Sequence, residues 1–183
     1  MDTEAALDGV EDVFGDDGGD AVREAVRLGV DGVRRAVHDE PGLTTEMMIE
    51  IDEVDVASAV DRRPDVVDAV QELLWAVHSE KARTFDVVSD RVDVTAAVAY
   101  DARDSGLSGH VEFDGACGRV EGGPERLREY DLRLTADSDV LAGLLTGSVD
   151  PVRAYRDDEL EIEGSLSTAS DVAEALRTVT RRL

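Results

Sequence analysis

The chain has 183 residues, and 43 acidic against 19 basic side chains leave a formal charge of −24. In dilute solution so much like charge weakens a compact state, whereas molar salt shortens the Debye length to about 3 Å and silences the repulsion. The acidity is spread along the whole chain and Lys81 is its only lysine, so the composition reads as that of a halophilic, acidic protein of a salt-filled cytoplasm, and a charge that is an adaptation to solvent says little about partners.

Met1 to Asp20 is rich in Asp and Gly, above all over Gly15 to Asp20, and is expected to be a disordered tail. From Ala21 to His38 a helical stripe carries Val22, Val26, Gly29, Val30, Val33 and Val37, and Glu40-Pro41-Gly42 ends it. The stretch 44–56 fits two periods. Met47, Ile49 and Ile51 alternate as in a strand, while Leu43, Met47, Ile51 and Val54 repeat as in a helix; the strand is favoured slightly. Residues 21–63 would form an extension packed on a domain over 64–183. That domain starts at Pro64, which opens a helix carrying Val66, Val67, Val70, Leu73, Leu74 and Val77.

Strand patterns follow. Val92, Val94, Ala96, Val98 and Tyr100 share one face of Arg91 to Tyr100, and Val111 and Phe113 share one face of Gly109 to Asp114. Asp114-Gly115 suits a tight turn, Cys117 to Val120 is a short third strand, and Gly122-Gly123-Pro124 interrupts before a fourth. In that fourth strand Leu132 and Leu134 alternate with Asp131, Arg133 and Thr135. Asp137 to Asp139 offers N-caps for a helix with Val140, Leu141, Leu144 and Leu145, which Gly147 closes. Asp150-Pro151 starts a short helix with Val152 and Tyr155 on one face. Leu160 and Ile162 alternate with Glu159, Glu161 and Glu163 up to Gly164, and Leu166, Ala169, Val172, Ala173, Leu176 and Val179 mark a last amphipathic helix. The sum is an α+β fold: a five-stranded, mostly antiparallel sheet covered on one face by helices, with an N-terminal helical extension.

Catalytic and metal chemistry finds little support. His38 ends its helix beside Asp39 and Glu40, where a histidine suits the helix dipole. His78 and Glu80 are two apart and do not share a helix face, and neither histidine has a histidine four residues on, so no metal site is expected. His110 should point to solvent, Cys117 reads as a buried thiol, and the Asp52, Glu53, Asp55 cluster reads as hydrated surface. No nucleophile elbow, Cys-x-x-Cys or phosphate loop occurs. The expectation is a non-enzyme with no cofactor. One cysteine excludes an internal disulfide and suits a reducing compartment. The acidic start Met1-Asp2-Thr3-Glu4 and the lack of any apolar run of about 18 residues suggest a cytoplasmic protein without stable membrane insertion. No cluster of basic residues with interleaved aromatics is present to track phosphates, so no nucleic-acid partner is expected.

In the stretch 131–165, Asp139, Leu144, Gly147, Asp150-Pro151, Leu160, Ile162 and Gly164 stand in an order and spacing that resemble the C-terminal half of the sterol carrier protein (type-2) lipid-transfer family. The resemblance covers roughly residues 64–183. It implies non-catalytic binding of a fatty acid, fatty acyl group or other lipid in an internal apolar cavity. The cavity it implies is walled by Leu141, Leu144, Leu145, Val152, Tyr155, Leu160, Ile162, Leu166, Val172 and Leu176. The same stripes also fit a closed core. Tyr155 could orient a polar head group through its hydroxyl, and Arg153 or Arg156 could meet a carboxylate. Two other readings stay open: an interaction module with a closed cavity, whose N-terminal residues make a homodimer or dock on an enzyme, and an enzyme of unrecognised class.

Overall fold

A computed structural model describes residues 3–15, 19–85 and 94–180. Five helices precede the sheet: α1 (Thr3–Phe14), α2 (Asp20–Asp39), α3 (Pro41–Asp52), α4 (Val56–Arg62) and α5 (Pro64–Phe85). Then come β1 (Thr95–Ala102), β2 (Ser108–Asp114), β3 (Arg119–Gly123) and β4 (Leu132–Ala136). Helices α6 (Ser138–Thr146) and α7 (Pro151–Arg156), strand β5 (Leu160–Gly164) and helix α8 (Leu166–Val179) complete the chain.

The strand order is β3-β2-β1-β4-β5, with β1 and β4 parallel and every other neighbouring pair antiparallel. Period-two alternation sets the register. Val98 lies opposite both Val111 and Leu132, Phe113 opposite Val120, and Leu134 opposite Ile162, so the apolar residues collect on one face. The other face carries Glu112, Glu121, Arg133 and Glu163.

Helix α5 lies between that apolar face and the N-terminal helices. Leu73 to His78 are all buried, the pattern of a helix covered on every side rather than along one stripe. It packs against both α2 and β3. On its flank the Tyr100 hydroxyl donates to Gln71 Oε1 at 2.7 Å and accepts from Trp75 Nε1 at 3.2 Å. The lone lysine is also on this helix. Lys81 is buried, and burial pushes its ammonium down to about 8.

Several expectations are corrected. The stretch 44–56 is not a strand: α3 runs to Asp52 and α4 begins at Val56. A strand would put Met47, Ile49 and Ile51 on one face, but Ile49 is 40% exposed while Thr44, Met47, Met48 and Ile51 are buried at helical spacing. Pro41 at the first helical position starts α3, and Asp55 caps α4 by accepting from the Ser58 amide at 3.0 Å.

The tail expected over 1–20 contains helix α1, whose Val10 is fully buried and whose Leu7, Val13 and Phe14 pack on the core. Local Asp/Gly content hid a stripe that only the neighbouring helices reward. Val92, assigned to the first strand, lies outside the described residues. The third strand is Arg119–Gly123, two residues later than expected, and Cys117 sits exposed in the turn before it rather than buried. The His110 side chain is only 15% exposed because its Nδ1 contacts the Glu125 carbonyl at 2.8 Å.

Several carboxylates are structural, among them Asp52 and Asp55 of the cluster expected to be hydrated surface. Glu50 accepts from the amides of Ala21 and Val22 at 3.0 and 2.9 Å, supplying the N-terminal partner that Gly19 cannot give α2. Asp52 accepts from the hydroxyls of Thr146 and Ser148. Helix α2 kinks at Gly29, whose φ of 64° is a left-handed value that glycine tolerates best.

Candidate functional site

The C-terminal elements enclose a groove because each helix is stopped and restarted by local chemistry. Gly147 ends α6 with φ 79°, where a Cβ would run into the Thr180 carbonyl. The Asp150 carboxylate accepts from the Arg153 amide at 2.9 Å and caps α7 in front of Pro151. Arg177 of α8 reaches the same carboxylate at 2.5 Å, tying the two helices together. The Arg153 amide, then the Arg177 guanidinium, hold the Asp150 carboxyl below the usual carboxylate range. Ser165 caps α8, and the antiparallel pair of β4 and β5 forms the floor.

Between these elements lies a groove of about 220 Å³. Leu132, Leu134, Leu160 and Ile162 line it from the sheet, Pro151, Val152 and Tyr155 from α7, and Leu166, Ala169, Ser170, Val172, Ala173 and Leu176 from α8. No charged side chain is among them, in a chain of which 34% is charged. Leu166, Tyr155 and Val152 are 64%, 43% and 41% exposed, so large apolar surface stands in water at the site.

Of the residues expected from sequence, Val152, Tyr155, Leu160, Ile162, Leu166, Val172 and Leu176 come together here. Leu141, Leu144 and Leu145 do not. All three are buried on α6, and Leu145 instead lines a narrow apolar void of about 50 Å³ with Val13, Phe14, Ile51 and Leu74. Helix α6 is covered by α3 and α4, an association no local pattern reveals. Sequence reasoning missed Leu132 and Leu134 as lining residues although it placed them on the buried face. It also missed Ala169 and Ala173, whose small side chains leave the space. Arg153 meets Asp157 at 3.3 Å on the exterior of α7.

The histidines do not converge. His38 Nε2 lies 2.8 Å from Glu80 Oε1, a contact beyond the helix-end role expected for it. His78 is fully buried, with Nε2 2.7 Å from the Leu145 carbonyl and Nδ1 3.2 Å from that of Val179. Among the described residues no group of three or more His, Cys, Asp or Glu is placed to hold a metal ion, and no helix is long and apolar enough to cross a membrane.

An α+β shell thus carries an uncharged groove between sheet and helices. The model of the SCP-2 sterol transfer family matches residues 81–177, more than half of the chain. The chain belongs to that family, whose function is the binding or transfer of lipids.

Three solved structures are among those to which the chain is similar. The sterol carrier protein domain 2 of Helicoverpa armigera is 14% identical, with 60% of this chain and 87% of that chain covered and a TM-score of 0.44. Sterol carrier protein 2 of Yarrowia lipolytica in its apo form is 15% identical, with 75% and 92% covered and a TM-score of 0.37. A crystal structure of sterol carrier protein 2 is 18% identical, with 60% and 92% covered and a TM-score of 0.47. Among curated proteins the chain has no match.

Proposed function

We propose that the groove between β4, β5, α7 and α8 holds the hydrocarbon chain of a fatty acid or fatty acyl lipid, without transforming it, in a salt-rich cytoplasm. The observation that carries this is the uncharged lining, drawn from three separate parts of the chain in a protein of charge −24. A volume of about 220 Å³ lies below the roughly 300–1,000 Å³ of sites for drug-sized ligands. It therefore suits one acyl chain better than a ring system. About ten buried methylenes contribute about 8 kcal/mol, before ordering costs that reduce it. Molar salt strengthens such burial rather than screening it. Tyr155, half exposed in the lining, is the group for the polar end.

The test is displacement of a fluorescent fatty acid from the purified chain at high KCl, with native mass spectrometry for a co-purifying lipid. The variant Ala173→Phe fills the groove from α8 and should abolish binding while keeping the wild-type circular dichroism spectrum. Wild-type protein that carries no lipid and ignores the probe would end this reading, as would a filled variant that binds undiminished.

A further inference from the structure

A second concavity, of about 600 Å³, opens at the β3 edge of the sheet, the edge opposite β5. Its chemistry is the reverse of the groove's. Past the Gly29 kink, Asp31, Arg34, Arg35 and His38 follow at i, i+3, i+4 and i+7, which is one face of α2. Arg83 joins from α5 and Arg119 from β3.

Only part of this positive charge is answered locally. Arg83 and His38 both hold the Glu80 carboxylate, at 2.5 and 2.8 Å, and that side chain is only 7% exposed. Arg119 pairs with Asp114 at 3.1 Å. Arg34 approaches Asp31 no nearer than 3.9 Å, and Arg35 has no carboxylate within 4 Å among the described residues. Glu121 is the remaining acidic group of the wall.

The cleft thus sets four guanidinium groups against the carboxylates of Asp31, Glu80 and Glu121, and Arg34 and Arg35, neighbours on one helix turn, are the two that no carboxylate holds closely. An anion offers these two a closer partner, and guanidinium forks match phosphoryl oxygens in bidentate geometry. The volume falls within the range of small-molecule sites, so it accommodates an organic body as well as the charged group. We infer that the cleft between α2, α5 and β3 binds a phosphorylated small molecule, with Arg34 and Arg35 gripping its phosphoryl group and Arg119 closing the opposite wall. The phosphoryl group could belong to a soluble phosphate ester or to a lipid head group. The site is independent of the apolar groove.

Isothermal titration of the full chain with glycerol 3-phosphate and with short-chain dihexanoyl phosphatidic acid tests this, at a KCl concentration where circular dichroism reports the folded state. Saturable binding of one equivalent is expected. The variant Arg34→Gln/Arg35→Gln keeps good helix formers and should weaken binding about tenfold or more, the loss of one charge-assisted contact or more. The variant Arg126→Gln/Arg128→Gln removes an exposed pair between β3 and β4 that lines neither cavity and should leave binding unchanged. Equal affinity for the two probes supports a soluble ester, and tighter binding of the phosphatidic acid supports a lipid head group. No saturable heat with either probe overturns the inference. So does equal weakening by the two arginine variants, which would reflect net charge alone.

Discussion

His78 gives the most direct check on how the C-terminal elements are held. It is fully buried between the end of α6 and the end of α8, and both ring nitrogens face carbonyl oxygens. A neutral imidazole has one N–H, so it donates to only one of them; the shorter contact, to Leu145, is the natural choice. Burial first, then the Lys81 charge, pushes the imidazole down to about 4 from its ordinary 6.5, against the pull of the two carbonyls. Between those values the unfolded chain takes up a proton that the folded chain refuses. Stability from this group is therefore complete above about pH 6.5 and falls as pH drops toward 4. The whole window amounts to about 3 kcal/mol, of which about 2 kcal/mol is already lost at about pH 5. Urea unfolding at constant KCl, at about pH 7.5 and about pH 5, measures it in the wild type and in His78→Gln. Carboxylates titrate in both proteins and cancel in the comparison, so the wild type should lose about 2 kcal/mol more than the variant. Equal losses, or a smaller loss in the wild type, would refute the reasoning and mean an imidazolium donating to both carbonyls.

Removing salt should lower the melting temperature sharply, because a charge of −24 then repels itself over a Debye length of about 10 Å or more. A melting temperature equal in dilute buffer and in molar KCl contradicts the halophilic reading. Tyr100→Phe leaves Gln71 Oε1 and Trp75 Nε1 without their buried partner, and should cost about 1–3 kcal/mol in urea unfolding. A cost below about 0.5 kcal/mol would mean that the two groups find other partners.

The sequence by itself determined what depends on near neighbours along the chain. Gly147 and Asp150-Pro151 act within one turn of their own position, so the stop of α6 and the start of α7 were legible. The alternation of Leu132 with Leu134, and of Leu160 with Ile162, likewise fixed which faces of β4 and β5 are buried. Seven of the residues that the family resemblance implied for a cavity wall line the groove.

Tertiary structure alone decided what those faces meet. Met47, Ile49 and Ile51 satisfy both periods, and only packing beside α2 and α6 selects the helix that leaves Ile49 outside. Leu141, Leu144 and Leu145 carry the same apolar stripe as the groove residues, yet α3 and α4 cover them. Nor does composition distinguish Glu50, which caps α2, or Asp52, which binds Thr146, from the many carboxylates that face water. A carboxylate's role depends on which amide or hydroxyl arrives from a distant part of the chain. For the same reason Arg34 and Arg35 pass as ordinary helix surface until α5 and β3 bring Arg83 and Arg119 to face them.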